Sequence, residues 1–445
     1  GSDAEPACDM MPQLFHMAAM GGRSLVARIL YTLLFTLLLP VFVARLWWRG
    51  RKNPGYRRRI GERFGRLPHA PRPNGLWVHA VSVGETLAAA PFVKAFQQQY
   101  PDVSVIMTTT TPTGSEQVRR LFGNSVFHMY MPYDLPLFLN RFLRTLKPGL
   151  LVVMETELWP NLLAACQARH IPVVLANARM SEKSARGYEK FSALTRPMLQ
   201  RLAMVAVQNP VDGERFVQLG LPADRMEVTG SVKYDVTVPA GIHDKGRALR
   251  AEWGGQRTVL ALASGHGGED ELLLDLYPRL QEAVPDLLLL LIPRHPERFE
   301  AVTNAVRSRG LRVQRRSSGS ASEQTQVYVA DTMGEMLQLL AAADLVLVGG
   351  SLIAHGGHNP IEPAALGKAT LIGPHHMNFA VIVDNLQNAG ALALVSDQAD
   401  ELLEQLQNYL SDADLRSRMG AAGQAAVDAN RGAVKRRTEL CSANL

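Results

Sequence analysis

Residues 76–109 read LWVHAVSVGETLAAAPFVKAFQQQYPDVSVIMTT, and this stretch predicts the fold of the chain. Two apolar runs, 76–82 and 103–109, have the composition of buried strands, and a segment of helical character separates them. A strand, a helix and a second strand form the repeating unit of a parallel sheet that is covered on both faces. The sequence therefore predicts an α/β fold.

The same alternation continues through two halves of the chain. In the first half, the further predicted strands are LLVVMET (150–156), VVLANA (173–178), MVAVQN (204–209) and RMEVTGSV (225–232). In the second half, they are TVLALAS (258–264), LLLLLIP (287–293), RVQRR (312–316), VYVAD (327–331), LVLVGG (345–350) and ATLIGP (369–374). Because 445 residues exceed what one core usually serves, we predict two doubly wound, Rossmann-like domains facing a central cleft.

Changes in composition predict where the domains begin and end. A polar stretch with several glycines follows the first half and is predicted to be the interdomain linker. The predicted segments are a tag or disordered tail (1–22), a membrane-anchoring helix with a basic segment (23–60), a first α/β domain (61–235), the linker (236–257), a second α/β domain (258–430) and a C-terminal tail (431–445).

The N-terminal region carries the segment Leu25–Trp48, whose uncharged part is Ile29–Ala44. Sixteen helical residues extend about 24 Å, which is shorter than the hydrocarbon core of about 30 Å. Flanking arginines that snorkel would allow a span, so spanning and surface-bound anchors both stay open. A buried core helix is a third reading, but the apolar residues surround the whole helix, which favours lipid.

Positive charge is concentrated beside this apolar segment. The chain has a net charge of +6, whereas residues 23–68 alone contain ten arginines, one lysine and one glutamate. A basic cluster next to an apolar helix is typical of binding to anionic lipid headgroups. No nucleic-acid-binding motif accompanies it, so we predict a membrane and no nucleic acid as partner. Three scattered cysteines predict no disulfide framework.

Carboxylates follow two of the predicted strands in the first half. Glu85 lies after the first strand, where a partly desolvated carboxylate is suited to act as a general base. The pattern Ser82-x-x-Glu85 is also a capping box, and spacing alone favours that structural role. Glu155 and Glu157 follow the strand at 150–156 and could bind hydroxyl groups or occupy a helix start.

Phosphate-binding features follow strands in the second half. Arg294 comes directly after the strand at 287–293, where its guanidinium could bind a phosphate or lie solvated in a turn. The loop 349–363 is rich in glycine and opens a helix, a pattern typical of anion binding. Glu362 in that helix could accept two ribose hydroxyls. The junctions 264–271 and 331–336 are weaker candidates.

Several nucleotide-binding patterns are absent from the sequence. It contains no GxGxxG after a strand and no Walker A motif, and its single Asp-x-Asp, Asp412-Ala413-Asp414, lies in a polar helical region. The sequence therefore predicts no metal site.

Taken together, the motifs resemble those of the Kdo transferase family, where Kdo is 3-deoxy-D-manno-octulosonic acid. The similar runs are HAVSVGETLAA, TTTPTGSE, METELWPN, NARMS, KYD, PRHPERF, DTMGEM and GGSLIAHGGHNPIEPA, and they extend over about residues 50–430. This resemblance implies the GT-B type of fold, CMP-Kdo as donor, no cofactor, a lipid A precursor as acceptor, and an inverting reaction at the cytoplasmic face of the inner membrane.

The resemblance also implies roles for individual residues. Glu85 would be the catalytic base, and Glu157 would assist on the acceptor side in the first domain. The second domain would bind CMP-Kdo through Arg294, His295, Gly334, Glu335, Met336, Asn359 and Glu362.

This chain departs from the family's usual pattern in two places. It has Ser264-Gly265-His266-Gly267-Gly268-Glu269 where the family usually has Ser-Thr-His-Glu-Gly-Glu, and Gly230-Ser231 where the family usually has Gly-Asn. Three alternatives remain at this point: a GT-B transferase that uses a UDP-sugar, a UDP-sugar epimerase of the same fold, and an inactive membrane-bound lectin.

Overall fold

A computed structural model describes the backbone of residues 10–444 and the side chains of residues 22–444. The described chain divides into two compact units. The first unit comprises Gly1–Val232 and Gly432–Leu445, and the second comprises Lys233–Arg431. The predicted tail comprised residues 1–22. Residues 1–9 lie outside the described residues, and residues 10–22 belong to helix α1 (Met10–Lys52).

The first unit contains a parallel sheet of seven strands in the order β3-β2-β1-β4-β5-β6-β7. Its strands are β1 Leu76–His79, β2 Val105–Thr109, β3 Phe127–Tyr130, β4 Leu150–Met154, β5 Val173–Ala178, β6 Met204–Val207 and β7 Met226–Val228. Its helices after α1 are α2 Ile60–Arg63, α3 Val83–Gln99, α4 Pro112–Phe122, α5 Pro136–Leu146, α6 Pro160–Gln167, α7 Glu182–Lys190, α8 Ser192–Gln200 and α9 Pro210–Leu219.

The second unit repeats this architecture with the strand order β10-β11-β9-β8-β12-β13-β14. Its strands are β8 Val259–Gly265, β9 Leu288–Pro293, β10 Val313–Arg315, β11 Val327–Val329, β12 Leu345–Val348, β13 Ala369–Ile372 and β14 Leu392–Leu394. Its helices are α10 Ile242–Trp253, α11 Glu269–Ala283, α12 Phe299–Ser308, α13 Met336–Ala341, α14 Ile361–Ala365, α15 Ala380–Asn388, α16 Ala399–Ser411 and α17 Ala413–Asn430. Two doubly wound α/β domains, as predicted, are therefore present.

Apolar runs form the central strands because both faces of each sheet are covered by helices. Every residue of β1 and β4 is buried, as is every residue of β9 and β12. In the first unit, Trp77 of β1 is fully buried and its ring lies 5.2 Å from that of Phe142. Such packing fixes the carboxyl ends of the central strands, from which the candidate site residues project.

The last helix, α18 (Ala433–Ala443), returns to the first unit after the second is complete. It packs against α3, and its Cys441 lies within the apolar core beside β1 and β2. Arg437 is only 1% exposed and donates hydrogen bonds to Oδ1 of Asn177 at 2.9 Å and to the carbonyl of Gly230 at 2.6 Å. The predicted C-terminal tail is therefore an integral part of the first unit.

The structure also differs from the predicted linker and strand set. Helix α10 occupies most of 236–257, and its Trp253 is fully buried against Tyr328 in the second unit. The apolar positions of α10 are spaced along one helix face within a polar sequence, which a composition argument does not detect. Strands β3 and β14 were not predicted, because both are short, partly exposed strands at a sheet edge.

One face of α1 packs along the first unit, and we call it the docked face. It consists of the partly buried positions Ser24, Ala27, Arg28, Tyr31, Thr32, Phe35, Leu39, Phe42, Val43, Leu46 and the buried Gly50. Their spacing of three and four residues is that of a single helix face. Helices α6 and α8 are among its contacts in the first unit.

Candidate active site

The strand order of the first sheet reverses between β1 and β4. Strands β2 and β3 lie on one side of β1, and β4 to β7 lie on the other, so this is the switch point of the sheet. Ligands of open α/β sheets bind outside the carboxyl ends of the strands at such a point. Glu85 follows β1, while Glu155 and Glu157 follow β4. The structure therefore brings the three predicted carboxylates of the first unit to its expected ligand-binding position.

Glu85 lies in the first turn of α3 and is held by its backbone neighbours. Its Oε2 accepts a hydrogen bond from the N–H of Val81 at 2.7 Å, and its own N–H donates to Oγ of Ser82 at 3.4 Å. The helix-capping role that the sequence indicated is therefore present. It uses one carboxylate oxygen and fixes the orientation of the other, so capping and base catalysis are compatible.

The pKa of Glu85 is raised towards neutral pH. Burial, together with the smaller effect of the charges of Glu155 and Glu157, raises its pKa to about 7 against the opposing hydrogen bonds of Val81 and Ser82. Burial and the charge of Glu155 also raise the pKa of Glu157. A general base works best when its pKa lies near the working pH, and Glu85 meets this condition.

Glu155 has a strained backbone conformation, with φ at 57° in the left-handed region. Its N–H donates to the carbonyl of Ala176 on the neighbouring strand at 2.8 Å, so the strained conformation starts directly at the sheet edge. Non-glycine residues in this region are uncommon and cluster at functional sites. Ser264, at the corresponding edge of the second sheet, has φ at 59°.

The strand order of the second sheet reverses between β8 and β12, which is the switch point of that sheet. His266 follows β8, while His355 and His358 lie in the glycine-rich loop after β12. The fully buried Glu269 joins the two loops. Its Oε1 accepts from the N–H of His266 at 3.1 Å and of Gly350 at 2.7 Å, and its Oε2 accepts from the N–H of Leu352 at 3.1 Å.

The three histidines form a compact cluster whose ligand nitrogens lie within 4.8 Å of one another. Nε2 of His266 and Nε2 of His358 are 2.6 Å apart and the two ring planes are nearly parallel, so the N–H of one ring donates a hydrogen bond to the nitrogen of the other. Burial, together with the smaller effect of the neighbouring histidines and arginines, lowers the pKa of both rings to about 4. These are the side chains in the second unit that could hold a metal ion.

Arg294 and His295 follow β9, the strand beside β8. Both side chains are exposed, and within residues 22–444 the guanidinium of Arg294 donates no hydrogen bond to another side chain. Arg298, in contrast, is paired with Asp270 at 3.0 Å and Glu271 at 3.4 Å. Arg294 therefore remains available for an anionic ligand.

Glu362 lies near Arg294 in α14. Burial raises the pKa of Glu362, and the charge of Arg294 opposes that increase. Asn359, two residues before α14, uses its Oδ1 to accept from the N–H of Ile361 at 2.9 Å and so fixes the start of the helix. Of these two predicted ligands, Glu362 keeps its carboxylate free of side-chain partners among the described residues.

Gly334, Glu335 and Met336 lie immediately before or at the start of α13. Gly334 has φ at 81°, a conformation that favours glycine. The carboxylate of Glu335 is already bound, since Arg316 donates to it at 3.0 Å. Thr332 and Gln338 donate to it as well, and the hydrogen bond from Arg316 is the main cause of its lowered pKa. Glu335 therefore shapes this loop, and its carboxylate is less available to a ligand than that of Glu362.

Sequence reasoning missed the joint role of His266 and Glu269. The signal was present, because both lie directly after β8 at a strand-to-helix junction. The departures Gly265 and Gly267 from the family's usual pattern argued against a role for this junction. A Cβ on Gly265 would lie 2.9 Å from Oδ1 of Asp270, which leaves little room for a larger residue in this conformation.

Two family models match the chain. One is described as 3-deoxy-D-manno-octulosonic-acid transferase (kdotransferase) and matches residues 58–236. The other is described as glycosyl transferases group 1 and matches residues 271–426. Their boundaries fall within the first and the second unit respectively, apart from four residues at the end of the first match.

Curated relatives resemble the chain over nearly its whole length. The 3-deoxy-D-manno-octulosonic acid transferase of Haemophilus influenzae is 41% identical over 93% of this chain and 97% of its own. The enzyme of the same name from Bordetella pertussis is 38% identical over 92% of this chain and 98% of its own.

Among solved structures, MurG of Acinetobacter baumannii has a TM-score of 0.55 at 15% identity, covering 83% of this chain and 99% of that one. That likeness concerns the fold alone and agrees with the predicted GT-B type. The relatives of known name cover both units and share more than a third of their residues with this chain. The chain therefore belongs to the Kdo transferase family of glycosyltransferases.

Proposed function

We propose that this glycosyltransferase moves Kdo from CMP-Kdo to a hydroxyl of a lipid A precursor by a single displacement with inversion. The observation that carries the proposal is the carboxyl group of Glu85 at the switch point of the first sheet, with its pKa raised to about 7 by burial. A group of this kind can accept a proton at neutral pH while an acceptor oxygen attacks.

The reaction has a simple balance of atoms and electrons. The acceptor O–H bond breaks, its proton passes to the carboxylate of Glu85, and the oxygen forms a bond with the anomeric carbon of Kdo. The bond between that carbon and the phosphate oxygen breaks on the opposite face, and CMP leaves with the electron pair. No covalent enzyme intermediate is needed, in contrast to retaining two-carboxylate mechanisms.

The second unit supplies the groups that suit the donor. Arg294 is exposed and has no side-chain hydrogen bond among the described residues, so it can form a charge-assisted pair with the phosphate of CMP. Glu362 can accept two ribose hydroxyls. His295, Gly334, Met336 and Asn359 would line the nucleotide as neighbours of these two. Glu335, bound to Arg316, would hold the loop in shape.

A cavity of about 430 Å³ in the first unit suits an amphiphilic, anionic acceptor. Its apolar wall includes Phe35, Phe42 and Trp159, and its basic wall includes Arg45 and Arg49. Such a mixture matches acyl chains beside a phosphorylated sugar.

The same cavity reaches the candidate base. Val81, whose N–H holds Glu85, and Glu157 both line it. Arg63 also lines the cavity and is only 5% exposed. Its Nε–H has no hydrogen-bond partner among the described residues. A buried donor of this kind is costly to leave unpaired and favours an oxygen-rich ligand.

We also propose that the reaction needs no metal ion. Arg294 carries the charge that would stabilise the departing phosphate. The cluster of His266, His355 and His358 makes this point testable, because metal chelation would reduce activity if that cluster held an essential ion. We propose the cytoplasmic face of the inner membrane as the place of the reaction, since CMP-Kdo is a soluble nucleotide-sugar and α1 is apolar.

The test is transfer by the purified chain in detergent, with CMP-Kdo and a tetraacylated lipid A precursor, in the presence of EDTA. We expect release of CMP and a mass increase of the lipid by one or more Kdo units. No transfer by folded protein would refute the donor and acceptor assignment, and activity with a UDP-sugar would replace it. A loss of activity in EDTA that zinc restores would refute metal independence but would leave the donor and acceptor assignment intact.

A further inference from the structure

Helix α1 is long and apolar enough to cross a membrane, since Gly22–Lys52 has 31 residues and a mean hydropathy of 2.1 in its most apolar window. A helix of this length extends about 46 Å, more than the hydrocarbon core of about 30 Å. Length and composition do not distinguish a spanning helix from one that lies in the membrane surface. The contacts of α1 make that distinction.

The docked face runs along the whole apolar segment rather than at one end of it. It begins at Ser24 and continues to Gly50, so the rest of the first unit accompanies almost the full length of the segment Gly22–Lys52. Near the middle, Phe35 lies 6.4 Å from the ring of Tyr133, and near the end Arg57 donates to the carbonyl of Trp47 at 2.9 Å.

The middle of the helix also makes a polar contact. Nδ2 of Asn161 donates to Oγ1 of Thr32 at 2.9 Å. Asn161 is 4% exposed and also donates to the carbonyl of Asp134 at 2.9 Å. The carboxylate of Asp134 accepts from the backbone N–H groups of Asn161 at 3.1 Å and Leu162 at 2.8 Å.

These contacts are incompatible with a span. If Ile29–Ala44 crossed the bilayer, the partly exposed side chains of Asn140 and Arg169, which line a groove beside Thr32, would lie at the depth of the hydrocarbon core. Polar groups of a water-exposed domain are strongly disfavoured there, because no water satisfies their hydrogen bonds. The docked face therefore has to stay at the level of the membrane surface.

The opposite face of α1 is apolar and exposed. Among its residues, Val26 is 55% exposed, Leu37 is 77% exposed and Trp48 is 68% exposed. Positions 26, 37 and 48 are eleven residues apart, a spacing that returns to the same side of an α-helix. The exposed side thus forms a continuous apolar strip from Leu25 to Trp48.

Positive charge borders this strip at its C-terminal end. Arg49, Arg51 and Lys52 occupy the last turn of α1, and Arg57 and Arg58 follow. Tryptophan and arginine together are typical of the interface between lipid headgroups and acyl chains. The charge and the apolar strip match one partner, the surface of an anionic lipid leaflet.

We propose that α1 lies in the plane of a single leaflet, with its exposed strip buried in the upper acyl region and its docked face holding the first unit at the surface. An in-plane amphipathic helix of this type enters the leaflet by about 5–10 Å. The orientation rests on the contacts of α1 and not on the sugar that the enzyme transfers.

The test measures the membrane depth of single spin labels on the full chain. In a Cys8→Ser background, Val26→Cys, Leu37→Cys and Trp48→Cys are labelled and bound to vesicles of phosphatidylethanolamine and phosphatidylglycerol. Cys166 and Cys441 are buried and stay unlabelled. We expect all three labels at one shallow depth. A spanning helix would place Leu37 about 15 Å deeper than the other two.

Leu39→Cys on the docked face is the matched control, because it lies two residues from Leu37 along the helix. In-plane binding keeps this label away from lipid, whereas a span places it as deep as the label at 37. Equal depths at 37 and 39, a maximum of depth at 37 among the three exposed positions, or no binding of the wild-type chain to these vesicles would each overturn the proposal.

Discussion

Replacing Glu85 separates its two roles, the helix cap and the general base. A Glu85→Gln variant keeps a side-chain oxygen that can accept the N–H of Val81, so the start of α3 is retained. It cannot take up the acceptor proton. Because positioned general bases contribute about 10²- to 10⁴-fold, we expect the turnover rate to fall by at least about 100-fold, or about 2.7 kcal/mol in the activation barrier.

The matched control is Ser82→Ala, which removes the hydroxyl that accepts the N–H of Glu85. This change weakens the cap and is expected to lower the free energy of unfolding by about 1 kcal/mol, while the carboxylate remains. Turnover is measured as CMP release under saturating substrates, and stability as the thermal unfolding midpoint. Glu85→Gln should therefore lower turnover with little change in the unfolding midpoint. Ser82→Ala should lower the midpoint with little change in turnover.

The pH dependence gives an independent check. Turnover by the wild type should rise with pH and level off above about 7, because burial raises the pKa of Glu85 to about 7 and only the deprotonated form is a base. In stability the sign is reversed. The folded chain holds this proton more tightly than the unfolded chain, so the contribution of Glu85 to stability falls as the pH rises from its ordinary pKa of 4.5 to about 7.

The reasoning would be refuted by a Glu85→Gln enzyme that keeps its fold and turns over within a few-fold of the wild type. In that case Glu85 would be a helix cap only. Glu157, whose pKa is raised by burial and by Glu155, would then be the next candidate for the base.

Three further predictions concern the second unit, the return of α18, and metal ions. Arg294→Ala should raise the KM for CMP-Kdo about 10- to 100-fold in initial-rate assays, since a charge-assisted hydrogen bond contributes about 1.5–3 kcal/mol. The control Arg309→Ala, which removes a surface ion pair with Asp275 and a hydrogen bond to the carbonyl of Ala305, should leave this KM unchanged. Arg437→Met should lower the free energy of unfolding by about 3 kcal/mol in thermal or denaturant unfolding, because two buried acceptors lose their donor. The control Arg418→Met, at an exposed position, should have little effect. EDTA should leave turnover unchanged, and a decrease that zinc reverses would point to the three-histidine cluster.

Much of the fold could be predicted from the sequence because apolar strands alternate with helices. VVLANA (173–178) was predicted with the bounds that β5 has. Other strands end earlier than predicted, as β4 does at Met154, because the residues that follow leave the sheet to form the site. Edge strands such as β3 lack the continuous burial that makes central strands recognisable.

The positions of site residues were predictable for the same reason, since strand ends are visible in the sequence. Their mutual arrangement was not, because strand order decides which loops meet. Glu85 and Glu157 come together because β1 pairs with β4, and His266 meets the loop of His358 because β8 pairs with β12. The ion pair that occupies Glu335 depends on Arg316 nineteen residues earlier, and no local pattern indicates it.

The return of α18 to the first unit affects how the chain becomes structured during its synthesis on the ribosome. Residues 433–443 are translated after the entire second unit, yet they pack against α3, the helix whose first turn holds Glu85. Until these residues emerge, the first unit lacks the side chains of Arg437 and Cys441 from its interior. Chains that stall before this point would present a finished second unit with an open first core, which is the kind of surface that chaperones and proteases recognise.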